Sequence, residues 1–120
     1  MDRSRVFNAT LEADLVIEDH GLLTLYVACT DESTVYAFEP YGFDYHKDGK
    51  RWTDKGFTAA AIRFLMETVG VYHWQQLAGR LVRCQLNEQG RAVAVGHIIK
   101  DKWWNLAEIV QEYAIPECRG

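Results

Sequence analysis

Phe7, Ala9, Leu11, Ala13, Leu15 and Ile17 alternate with Asn8, Thr10, Glu12, Asp14 and Glu18, and Val16 alone breaks the rhythm. Period two sustained over this length commits the segment to a half-buried strand, because a slip of one residue would turn every apolar side chain to solvent. Asp19-His20-Gly21 is a turn-forming cluster, and Leu22 to Cys29 is rich in residues that suit a pleated surface. The chain therefore opens with a long antiparallel hairpin. That hairpin fixes architecture and carries no catalytic signature.

Further along, Asp31-Glu32-Ser33 reads as a turn and Val35 to Phe38 as a short third strand. From Phe57 to Val69 the period becomes helical, with Phe57, Ala60, Ala61, Phe64, Leu65 and Thr68 on one broad face. Gly70 suits the left-handed position that closes a helix. Leu81 to Leu86 and Arg91 to Ile99 form a second hairpin around Asn87-Glu88-Gln89-Gly90. Asn105 is a good N-cap, Glu108 stands three residues on, and Trp104 can staple onto Ile109, so a short helix is expected from Leu106 to Tyr113 before Pro116. The fold class is α+β: an antiparallel sheet of about five strands, one main helix packed across a single face, and a short C-terminal helix.

A chain of 120 residues, 48% hydrophobic and 25% charged, reads as one globular domain. It holds no run of about 18 apolar residues and no basic leader, so the expectation is a cytoplasmic protein that does not enter a membrane. Cys29, Cys84 and Cys118 are far apart and odd in number, which argues against a disulfide framework; two of them sit in strand patterns as small hydrophobes. Residues 1–45 carry two basic and nine acidic side chains, net −7, whereas residues 46–120 carry eleven basic and eight acidic, net +3. An acidic chain without a basic cluster is a poor nucleic-acid binder.

Residues 39–56 break the pattern and gather four of the fifteen aromatic residues, Tyr41, Phe43, Tyr45 and Trp52. A long stretch of this kind is the candidate partner-binding loop. Trp103 joins these four as a candidate contact residue; the alternative for it is core packing. Glu18-Asp19-His20 and Asp44-Tyr45-His46-Lys47-Asp48 gather carboxylates and imidazoles, but neither has the spacing of a recognisable metal site, and turn roles suit the first better. His97 alternates with Val93, Val95 and Ile99, the pattern of a histidine at the edge of a core. No nucleophile–base spacing, Gly-rich phosphate cradle or paired histidine spacing occurs, and no metal or other cofactor is expected.

The runs LVIEDHGLLT (Leu15–Thr24), LMETVGV (Leu65–Val71) with Trp74 and Leu77-Ala78-Gly79, and VGHIIKDKWW (Val95–Trp104) resemble a family of small uncharacterised phage and prophage proteins. The likeness spans residues 10–110. Members are glycine-rich after the second strand, where this chain has Thr30-Asp31-Glu32-Ser33-Thr34. The resemblance implies a mobile-element context and a non-enzymatic protein that binds a host protein, with an anti-CRISPR-like inhibitor of host defence as one form. Two alternatives stand beside it: a small metal-dependent enzyme or nuclease accessory in which residues 18–20 and 44–48 converge, and a nucleic-acid or nucleotide binder using Trp52 and Trp103. A homodimer is a further partner state left open.

Overall fold

A computed structural model describes residues 5–19, 21–38, 41–42, 50–51, 53 and 56–115. Strands β1 (Arg5–Ile17) and β2 (Leu23–Asp31) form the opening hairpin, followed by β3 (Thr34–Ala37) and the two-residue β4 (Tyr41–Gly42). Helix α1 (Phe57–Val69) then leads to β5 (Leu81–Leu86), β6 (Ala92–Gly96), the two-residue β7 (Trp103–Trp104) and helix α2 (Leu106–Tyr113). All pairings are antiparallel, in the order β3-β2-β1-β5-β6-β7, with β4 on the same edge of β2 as β3. The α+β architecture agrees with the sequence. The strand count is higher than about five, because two-residue strands leave no periodicity to read.

β1 is the organising element, since Thr10 to Ile17 pair with β2 while Arg5 to Thr10 pair with β5. Register sets Leu11 opposite Cys29, Leu15 opposite Leu25 and Ala9 opposite Val82, so the odd positions of β1 meet apolar partners on one face. That face holds the core, with Leu11, Leu25, Cys29, Leu65, Val82, Cys84 and Val95 buried against Phe57 and Ala61 of α1 and Leu106 and Ile109 of α2. The alternation overreaches at its end. Ile17 is exposed at the tip of the hairpin, and Leu15 is only half-buried.

The sheet is strongly curled. In a flat sheet five spacings would set β3 about 24 Å from β7. Phe38, the residue after β3, nevertheless lies edge-to-face with Trp104 of β7, ring centroids 5.7 Å apart. A right-handed twist carried along a shared, staggered β1 brings the two edges of the sheet toward each other.

α1 ends as its glycine requires: Gly70 has φ 89° and donates to the Met66 carbonyl at 2.8 Å. Asn105 Oδ1 accepts from the Glu108 N–H at 3.1 Å, the N-cap of α2. One helical assignment needs correction. Phe64, placed by period on the buried face of α1, is 36% exposed and stands at the border of that face. The strand expected to run to Ile99 stops at Gly96, and residues 97–102 form a turn that leaves Ile99 exposed.

Candidate protein-binding groove

Trp103 and Trp104 are neighbours on an edge strand, so their side chains leave on opposite faces. Trp104 points inward, is 1% exposed, and donates its indole N–H to the Ala61 carbonyl of α1 at 3.1 Å. Trp103 points outward onto β6. Across the outer face, register aligns Asn8, Arg83, Gly96 and Trp103 in one row over four strands. A Cβ built on Gly96 would stand 2.6–2.8 Å from three consecutive atoms of the six-membered indole ring, so the ring lies face-on over this glycine. No larger residue leaves room for it.

Arg83 holds the same corner from β5. Its Nε donates to the His97 carbonyl and its Nη2 to the Lys100 carbonyl, both at 2.7 Å, while the guanidinium lies 4.7 Å from the Trp103 ring centroid. Trp103 Nε1 adds a bond to Asp101 Oδ1 at 3.1 Å. His97 Nδ1 accepts from the N–H groups of Ile99 and Lys100 at 3.0 and 2.9 Å, so this nitrogen carries no proton. The imidazole thus closes the turn of residues 97–102. β7 is riveted from both sides.

Over this fixed strand α1 and α2 leave a groove of about 390 Å³. Phe64, Glu67 and Thr68 form one wall, Glu108, Ile109 and Glu112 the other, and Lys102 to Asn105 lie at its base. Spacings of three and four residues on each helix place these side chains in facing stripes. Glu67 pairs with Arg63 at 2.7 Å on an exposed surface, a contact worth little in water. Thr68, only 6% exposed, lines the groove from α1.

Of the five contact residues expected from sequence, Trp103 belongs to this corner, half-buried and fixed in place. Tyr41 lies in β4, its backbone paired with Leu25. Phe43, Tyr45 and Trp52 lie outside the described residues. Among the described residues of 39–56, β4 pairs with β2 and the buried Thr53 bridges to Ala114 after α2. Phe64, Thr68, Glu108 and Glu112 were missed as site residues. The available signal was the run of glutamates at helical spacing on α2.

His20 and His46 also lie outside the described residues, and among those described no group of three or more His, Cys, Asp or Glu side chains gathers to hold a metal. Cys29 and Cys84 are buried thiols of the core. A hydrogen bond with Cys84, reinforced by burial, pushes the Cys29 thiol far above its ordinary range, while the same contact holds Cys84 below it. Among the described residues no helix is long and apolar enough to cross a membrane. No protein-family model, curated protein or solved structure matches this chain.

Proposed function

We propose that this chain is a non-enzymatic protein-interaction module and that the groove over β7 is its contact surface. The observation that carries the reading is a half-exposed aromatic, Phe64, beside a groove whose base strand is locked by Trp103, Trp104 and Arg83. A rigid base lowers the ordering cost of binding, and an aromatic at the centre of a groove is the usual kind of anchor. The likeness to small phage proteins supports a host protein as partner and the cell interior as the place of action, with inhibition of a host defence system as the specific form.

The test is affinity capture from host extract with the unmodified protein and with Phe64→Ala. The expected outcome is a stoichiometric partner retained by the first and lost by the second, with both melting as folded proteins. Retention by both would remove the groove from the account. A metal-dependent hydrolysis that survives purification and is abolished by chelator would replace the interaction reading with the enzymatic one.

A further inference from the structure

We propose a second contact surface, apart from the groove: the open edge of β1 takes an extended segment of a partner protein in which apolar and basic residues alternate. It stands whether or not the groove binds. Glu18 donates its N–H to the Leu22 carbonyl at 2.9 Å, which fixes the phase of the hairpin: even-numbered residues of β1 turn their backbone groups to β2 and odd-numbered ones turn theirs away. Leu11 agrees with that phase. Its N–H donates to the Arg80 carbonyl at 2.8 Å and its carbonyl accepts from the Gly79 N–H at 2.9 Å, on the side away from β2. Beyond Leu11 no described strand continues on that side, so Ala13, Leu15 and Ile17 present their N–H and C=O groups along an open edge. One of these groups is capped from within, since the Leu15 N–H donates to Asp14 Oδ1 at 2.9 Å. A carboxylate laid along an edge guards it against indiscriminate pairing.

Three properties of the edge name its occupant. Backbone groups in a row at strand spacing are satisfied together only by another extended chain. On the core-facing side Ala13 and Leu15 are half-buried and Ile17 is 74% exposed, so the apolar row of β1 outruns its cover and has room for apolar neighbours on an added strand. On the outer side Glu12 and Asp14 are exposed beside an opening of about 390 Å³ that Tyr26 and Ala28 also line. An added strand places the residue opposite Asp14 on that side, where a long basic side chain can lay its stem toward Ala28 and set its charge by the carboxylate and the tyrosine ring. Apolar residues facing Leu15 and Ile17, with basic ones between them, are thus the complement of this edge. A second copy of the chain is not, because it would set Glu12, Asp14 and Glu18 of one edge against the same residues of the other.

The experiment titrates the whole folded protein with acetyl-Val-Lys-Val-Lys-Val-amide, with the same peptide N-methylated at its central valine, and with a peptide carrying glutamate in place of both lysines. Amide NMR shifts and hydrogen exchange are the readout. The lysine peptide is expected to give saturable shifts at Ala13, Leu15 and Ile17 and, near saturation, to slow amide exchange at Ala13 and Ile17 about tenfold, while the signals of Phe64 and the Trp103 indole stay in place. The N-methyl peptide, which cannot donate to β1 at its centre, and the glutamate peptide should each bind at least about tenfold more weakly. Glu12→Gln with Asp14→Asn, which keeps an oxygen for the Leu15 N–H, should weaken the lysine peptide and make its affinity less sensitive to salt. The peptide comparisons leave the protein unaltered, so a variant that fails to fold does not blunt the test. Affinity for either altered peptide equal to that for the lysine peptide, shifts that map elsewhere, or no saturation at millimolar peptide would overturn the proposal. So would a concentration-dependent shift of the same three amides in the protein alone, which would assign the edge to a second copy.

Discussion

Two openings lie on either side of Trp104, and they differ in a way that size alone would misjudge. The larger, about 600 Å³, lies where the curled sheet fails to close, between Ala37 and Phe38 on one edge and Ala92 and Val93 on the other, with Leu106 and Ala107 of α2 beside them. The smaller is the groove over β7, about 390 Å³. The first carries no carboxylate; beside its apolar residues it has Arg91 and an Asn87 whose Oδ1 already accepts from the N–H groups of Gln89 and Arg91. The second holds carboxylates on two walls and an exposed aromatic. Curling a sheet leaves a gap without any selection for binding. Facing stripes of acidic side chains over a pinned strand are a different matter, because concentrating like charge costs stability that a cationic ligand returns.

Trp104 separates the openings and should show the largest effect. Trp104→Ala removes the ring against Phe38 and the bond to Ala61, and is expected to cost roughly 3 to 5 kcal/mol in urea unfolding, disturbing both openings together. A cost below about 1 kcal/mol would mean that the two sides are not joined through this residue. Gly96→Ala comes next and should act on the groove alone. The new methyl meets the Trp103 ring, so the ring must lift, at about 1 to 3 kcal/mol and with a shift in tryptophan emission. NMR signals of Ala37 and Ala92 should stay in place.

The thiol pair offers a control that belongs to neither opening. Cys29 has a folded value raised by Cys84 and by burial, so its contribution to stability is complete below the ordinary thiol range and is lost as the pH rises above about 8.5. The unfolding free energy should therefore fall between about pH 8.5 and pH 10.5, by at most about 1.4 kcal/mol per pH unit, and Cys29→Ala should flatten that slope. The smallest change in stability is expected for Phe64→Ala. At 36% exposure its removal should cost about 1 to 2 kcal/mol while abolishing binding at the groove, which separates a contact residue from a core residue.

The opening hairpin, helix α1 with its glycine stop and helix α2 with its asparagine cap were all legible, because each rests on local periodicity or on bonds within a few residues. β7 was not legible. Two residues carry no period, and the strand exists because Trp104 reaches Ala61, 43 positions away, and Trp103 finds room over Gly96. Phe64 shows the same limit from the other side. Its helical phase was correct for a helix lying flat on a sheet, but α1 shares that face with α2, and the gap between the two helices exposes the edge of the stripe. The groove was hidden for the same reason, since its wall residues lie 40 to 48 positions apart on two helices and meet only in the fold.

Site-specific photo-cross-linking compares the two openings in one experiment. A benzophenone side chain is placed at position 64 in one protein and at position 107, an exposed site in the larger cleft, in another, and each is irradiated in host extract. The account predicts one cross-linked protein of defined mass from position 64, and none from position 107. A cross-link from position 107 with none from position 64 would contradict it, and would place the binding surface where the sheet fails to close.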